Sequence, residues 1–263
     1  MSLPSAGSSP HAHPSPSGTS DPSRGASAAA GAAAGAAAGA AVGGSAAADV
    51  IGHAPAGRAR PRLRGSGLGF AFDGAPVLHG VDITLDPGVV TVIAGPNGAG
   101  KSTLLEVLAG VRRPTAGSVE RSGSLALVVQ RIAAPDALPV TVREVVAMGT
   151  WERRSASRAE AKRRVTEALE RVALHELADR PFAALSGGQR QRVLLAQGIA
   201  RRAQIFLLDE PASGLDAASR ERTHAILAAE AGRGAVVACV THDDDAIARA
   251  DRVVRIESGV RVA

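Results

Sequence analysis

The chain has 263 residues, 45% of them hydrophobic, which suits one α/β domain with appendages; four Phe, one Trp and no Tyr require an aliphatic core. A single cysteine, Cys239, excludes a disulfide framework within the chain and fits a reducing compartment. The formal charge of +5 is modest, and acidic and basic residues are interspersed through the folded part, so charge gives no reason to expect a nucleic-acid partner.

Residues 1–60 are low in complexity, with Ser, Pro and Gly giving way to an Ala-Ala-Ala-Gly repeat from Ala28 to about Ala41. Such a composition buries too little apolar surface to offset chain entropy, so a disordered arm is expected. No charge falls between Arg24 and Asp49, long enough to cross a bilayer, but Ala and Gly are too weakly apolar for a span. No basic start precedes an apolar segment, so no secretory leader is expected. His11 and His13 read as solvated residues of the arm.

The folded part is expected from residue 61, with its first apolar position at Leu63. Phe70, Phe72, Val77 and Leu78, then Val81, Ile83 and Leu85, read as short strands around the turn Asp73-Gly74. Asp86-Pro87-Gly88 is a turn before a β-branched run, residues 89–94, which predicts a buried parallel strand. Then comes Gly95-Pro96-Asn97-Gly98-Ala99-Gly100-Lys101-Ser102-Thr103, and after it Leu104, Leu105, Val107 and Leu108 at helical spacing. This is a phosphate-binding loop G-x-x-x-x-G-K-[ST] in its proper strand–helix context. Its glycines let backbone N–H groups turn inward toward anionic oxygens, and the helix adds its positive end. Lys101 is expected to reach the β- and γ-phosphates of a nucleoside triphosphate, and Ser102 to place its hydroxyl on Mg²⁺. Of the 30 basic residues only Lys101 and Lys162 are lysine; a compact ammonium fits inside such a loop where a planar guanidinium does not.

Residues 113–117 break the chain, and Val119 and residues 125–129 suggest further strands ending at Gln130. From about residue 132 to residue 185 the pattern is helical. Thr141-Val142-Arg143-Glu144 and Ser157-Arg158-Ala159-Glu160 read as capping boxes, and Val165, Ala168, Leu169 and Val172 form a core-facing stripe. This predicts a helical subdomain inserted into the α/β core. Strand–helix alternation then resumes: a helix to about Arg202, a strand over 205–208, a helix over about 217–231, strands over 235–240 and 252–256, and a final strand after the turn Ser258-Gly259.

Ile205-Phe206-Leu207-Leu208-Asp209-Glu210 delivers an acidic pair to the carboxyl end of an apolar strand, the Walker B arrangement. Asp209 suits a Mg²⁺ ligand and Glu210 a group that polarises attacking water. Leu185-Ser186-Gly187-Gly188-Gln189 pairs a capping box with two glycines at a helix start, a second anion site. One γ-phosphate does not need two such sites in one chain; two chains arranged head-to-tail do.

This last segment resembles the LSGGQ signature of ABC-transporter nucleotide-binding subunits, and with it residues 63–263 resemble that family throughout. The resemblance implies an α/β fold: a P-loop NTPase core with an N-terminal antiparallel β subdomain and an inserted helical subdomain. It implies ATP hydrolysis with Mg²⁺ in a homodimer, each ATP held between residues 95–103 of one chain and Ser186, Gly187, Gly188 and Gln189 of the other. Gln130 is similar to the Q-loop glutamine that meets Mg²⁺ and the attacking water, and His242 to the switch histidine. Residues 213–216 match the D-loop, and Phe72 aligns with the aromatic that stacks on adenine, where Tyr is commoner. The expected partner is a separate integral membrane permease, which places the subunit peripherally at the cytoplasmic face of the membrane.

Val128-Val129-Gln130-Arg131 and the stretch from Leu138 to Gly149 resemble ATPases of zinc and manganese uptake systems, the actinobacterial zinc importer type among them. This implies metal import, with an extracytoplasmic metal-binding protein in the system. ATPases for iron–siderophore, haem and cobalamin uptake have related segments. An exporter for drugs or peptides is disfavoured by the compact chain end. A non-transport ABC ATPase is disfavoured by the single set of motifs and the short helical insert.

Overall fold

The computed structural model describes residues 61–129, 139–151 and 157–263. The expected arm, Gln130 and the first residues of the expected helical segment lie outside the described residues.

β1 (Arg62–Phe72) and β2 (Ala75–Leu85) form an antiparallel hairpin. Its two-residue turn, Asp73-Gly74, takes positive φ at both positions, 46° and 85°, which matches the strand twist. After β3 (Val90–Ala94) and α1 (Lys101–Ala109), β4 (Ala116–Ser122) returns to the free edge of β1, giving a three-stranded sheet of order β2-β1-β4. Strand β4 begins within the segment read as a chain break.

The remaining strands are β5 (Leu125–Val128), β6 (Ile205–Asp209), β7 (Val236–Val240), β8 (Arg252–Glu257) and β9 (Val260–Arg261). With β3 they form a second sheet of order β5-β6-β7-β3-β8-β9, parallel except for the β8–β9 pair. Strands β3, β6 and β7 are covered on both faces, which is why they read as near-continuous apolar runs. Side-chain alternation still sorts them. Ile205 and Leu207, with Val236, Ala238 and Val240, join the core under α1 and the antiparallel sheet. Phe206 and Leu208, with Val237 and Cys239, face the opposite core.

That opposite core holds α2 (Val142–Met148), α3 (Arg158–Arg171), α4 (Gly187–Ala200) and the buried end of α5 (Ala217–Gly232). Helices α2 and α3, with 3₁₀ turns at His175–Leu177 and Phe182–Ala184, stand between β5 and α4 in the chain. The result is the expected α/β architecture: a parallel-sheet P-loop core, an antiparallel β sheet from the N-terminal strands, and inserted helices. Helix α6 (Asp244–Arg249) was not anticipated; Asp243 caps it by accepting from the amides of Asp245 and Ala246.

The caps follow the sequence with one correction. Thr141 and Glu144 close a full capping box on α2, as do Ser186 and Gln189 on α4. At α3 only half the box forms: Ser157 accepts from the amide of Glu160. The Glu160 carboxylate instead takes Arg163, Arg164 and Arg202, charged donors that outcompete a backbone N–H.

Candidate nucleotide site

The sheet order brings three carboxyl-terminal strand ends side by side. Ile93 of β3 is level with Val240 of β7, and Val240 is level with Asp209 of β6. The phosphate loop, Thr241-His242 and Asp209-Glu210 therefore leave adjacent strands at one edge of the sheet, where ligands of open parallel sheets bind.

Helix α1 begins differently from every other described α-helix. The others are capped by Thr141, Ser157, Ser186, Asp216 or Asp243. Helix α1 has Gly100 at its N-cap, no side-chain cap and no acidic residue in its first turn. Its first N–H groups are left for an external acceptor, at the positive end of the helix dipole. Gly95 has φ +148°, and a Cβ there would lie 2.0 Å from the carbonyl oxygen of Ile256, so only glycine lets the loop start against β8. Lys101 is buried, and its Nζ donates to the carbonyls of Gly95 and Pro96, each at 2.8 Å. The ammonium is thereby held over the loop cradle, beside any anion that enters it.

Ser102 Oγ donates to Asp209 Oδ1 at 3.1 Å. Burial is the main effect that raises the Asp209 carboxyl above the usual range; the Ser102 hydrogen bond opposes it and the charge of Glu210 adds to it. A hydroxyl and a carboxylate at this spacing are oxygen donors of the hardness Mg²⁺ requires, so the site fits that ion. Among the described residues no cluster of three or more His, Cys, Asp or Glu could hold a metal by itself. A Mg²⁺ here would draw its other ligands from phosphate and water.

Glu210 adopts a left-handed backbone, φ 49°, while its amide donates to the Val240 carbonyl at 2.9 Å. Such a conformation costs a non-glycine residue about 1–2 kcal/mol. It turns the side chain toward β7, where Glu210 Oε1 meets His242 Nδ1 at 2.7 Å and Oε2 accepts from Thr241 Oγ1 at 3.4 Å. Thr241 was missed in the sequence, although it stands directly between the apolar strand and His242. Its hydroxyl also accepts from the Asp243 amide at 3.1 Å, which ties the carboxylate to the start of α6.

Residues 186–189 start α4, on the opposite face of the sheet from α1. The structure thus brings Lys101, Ser102, Asp209, Glu210 and His242 together and sets Ser186, Gly187, Gly188 and Gln189 apart from them. The start of α4 is packed closely on the start of α5. A Cβ at Gly188 would fall 2.4 Å from Ser219 Oγ, and Ser219 is fixed by Asp216, which accepts from its amide at 2.8 Å and its hydroxyl at 2.9 Å. Ser219 carried no recognisable sequence pattern, since the contact joins residues far apart in the chain.

Phe72 ends β1 and is 40% exposed, whereas Phe70 is core. The two rings meet edge to face, with centroids 4.9 Å apart, and the Arg112 guanidinium lies 4.6 Å from the Phe72 centroid. Gln130 lies outside the described residues.

The ABC transporter family profile matches residues 78–213. A zinc import ATP-binding protein of Paramagnetospirillum magneticum is 40% identical over 180 residues, covering 68% of this chain and 66% of its own length. A hemin import ATP-binding protein of Streptomyces coelicolor is 41% identical over 206 residues, 73% of this chain and 74% of the relative. Among solved structures, an inward-facing metal-chelate type ABC transporter aligns with TM-score 0.71 and 30% identity, over 78% of this chain and 82% of that one. A dimeric ATP-binding cassette bound to ADP and phosphate aligns with TM-score 0.67 and 25% identity, over 76% of this chain and 97% of that one. The chain belongs to the ABC transporter family, as an ATP-binding cassette ATPase.

Proposed function

We propose that this ATPase is the energy-coupling subunit of a membrane importer for zinc or manganese, acting as a homodimer on a separate permease. The observation that carries the catalytic part is the Glu210–His242 contact beside the uncapped start of α1. Backbone N–H groups of residues 95–103 and the Lys101 ammonium bind the phosphates of ATP. Ser102, Asp209 and Gln130 hold Mg²⁺, which when bound screens the charge of the phosphates. Phe72 stacks on the base. Glu210 orients the attacking water and accepts its proton, while Thr241 and His242 hold the carboxylate in place.

Homodimer formation is supported by geometry. The phosphate loop and the start of α4 lie on opposite faces of one sheet, and a head-to-tail partner brings its own Ser186, Gly187, Gly188 and Gln189 to the far side of the nucleotide. The dimeric cassette among the structural relatives supports a dimer. No described helix is long and apolar enough to cross a membrane. Residues 132–185 form the helical subdomain that contacts the permease, residues 61–263 the ATPase domain, and residues 1–60 an arm outside it. Cargo reaches the permease through an extracytoplasmic metal-binding protein.

The zinc or manganese reading is supported by the segment from Leu138 to Gly149 and by the zinc-import relative. The equal likeness to a hemin import protein favours a second reading, haem uptake. Uptake assays in a deletion strain separate the two: zinc or manganese uptake restored by the wild-type chain, and not by Glu210→Gln, supports the first. Restoration of haem uptake alone overturns it.

A further inference from the structure

Away from the nucleotide site, a cleft of about 510 Å³ opens between α3 and the ends of α4 and α5, within the size range of small-molecule sites. Its lining includes the apolar side chains of Ile199 and Ala203. Its walls carry five guanidinium groups, from Arg163, Arg164, Arg171, Arg202 and Arg233. Three carboxylates answer them: Glu160 takes Arg163, Arg164 and Arg202, while Glu167 and Glu230 take Arg171, and Glu230 also takes Arg233. Two positive charges remain in excess.

Arg164 is the most enclosed of the five. It is nine-tenths buried, and its Nε donates to Glu160 Oε1 at 2.8 Å. Its Nη1 is buried with no partner, as is Nε of Arg171 about two turns further along α3. Nature rarely leaves an ionised donor out of water without an acceptor. An oxyanion in the cleft meets the guanidinium groups that line it, and a dianion cancels the surplus charge.

We propose that this cleft is a second anion site, one that takes a phosphate dianion and is distinct from the phosphate loop. Inorganic phosphate and the terminal group of a phosphate-bearing metabolite share the chemistry it recognises. Because Arg164 and Arg171 belong to α3, while Arg202 follows α4 and Arg233 follows α5, an occupant bridges the inserted helices to the core.

The test is calorimetric titration of the full-length protein with inorganic phosphate, and separately with pyrophosphate, after the phosphate loop has been saturated with a non-hydrolysable ATP analogue and Mg²⁺. One saturable site per chain is expected. Arg164→Lys keeps the charge and the ion pair to Glu160 but loses the fork, and is expected to weaken binding about tenfold or more, the worth of a charged hydrogen bond. Arg233→Gln, on an exposed side chain that folding tolerates, should weaken it as well, while neither variant alters phosphate-free ATPase activity. Tighter binding of phosphate than of pyrophosphate identifies the free ion as the ligand, and the reverse order identifies a larger phosphate-bearing one. No saturable binding to the nucleotide-loaded wild-type chain, or equal affinity in both variants, overturns the proposal.

Discussion

Gly188→Ala tests how the start of α4 is held. The added Cβ would sit 2.4 Å from Ser219 Oγ and 2.6 Å from Ser219 Cβ, against about 3.4–4 Å for ordinary contact. Rotating the Ser219 side chain breaks its bond to Asp216 and leaves the Cβ clash in place, so the helix starts must separate by about 1 Å. Overpacking of this kind costs about 1–3 kcal/mol, offset in part by up to about 1 kcal/mol from the helix preference of Ala over Gly. A net loss of about 1–2 kcal/mol should lower the urea midpoint, and displacement of residues 186–189 should reduce ATPase activity as well. Ser219→Gly removes both clashing atoms and should restore much of the loss in the double variant. Ser219→Ala removes only the oxygen and should not. A Gly188→Ala protein with wild-type midpoint and activity, or equal rescue by Ser219→Ala, would refute the reasoning.

Three further outcomes are expected. Glu210→Gln should bind ATP normally in equilibrium titration but hydrolyse it about 10²–10⁴-fold more slowly, and unimpaired turnover would remove Glu210 from the mechanism. Burial pushes the Cys239 thiol up to about 12, so iodoacetamide at pH 8 should label it only in denaturant; rapid labelling of the native chain would contradict its place in the core. Hydrogen bonds from Arg164, then Arg163, hold the Glu160 carboxyl down to about 2, against 4.5 unperturbed. A depressed folded value means the stabilisation is complete above about pH 4.5 and lost as pH falls toward 2, so the stability gap between wild type and Glu160→Gln should narrow over that window. A gap unchanged at pH 2.5 would show that the charge of Glu160 does not support the fold.

What was legible in the sequence was local chemistry. The phosphate loop, the Asp209-Glu210 pair and two complete capping boxes depend on residues within a few positions of one another, so spacing alone announces them. The strand over 205–208 and the helix after Ser186 were legible because burial on both faces and side-chain capping leave distinct patterns. Contacts made through the fold were not. Nothing in the chain says that β7 lies between β3 and β6, which is what sets His242 against Glu210. The close approach of Gly188 to Ser219 was invisible for the same reason. At Ser157 the spacing promised a full box, and the arginines of α3 and Arg202 took the carboxylate instead.

The central claim is that residues 95–103 of one copy face residues 186–189 of another. Asn97→Cys and Gly187→Cys placed together in a Glu210→Gln chain, whose only other thiol is buried, test it by oxidative cross-linking, both purified and in membranes carrying the permease. The account predicts a covalent dimer that forms with ATP and Mg²⁺ and is absent when either new cysteine is omitted. A cross-link confined to single chains, or no dimer with ATP in either setting, would contradict it.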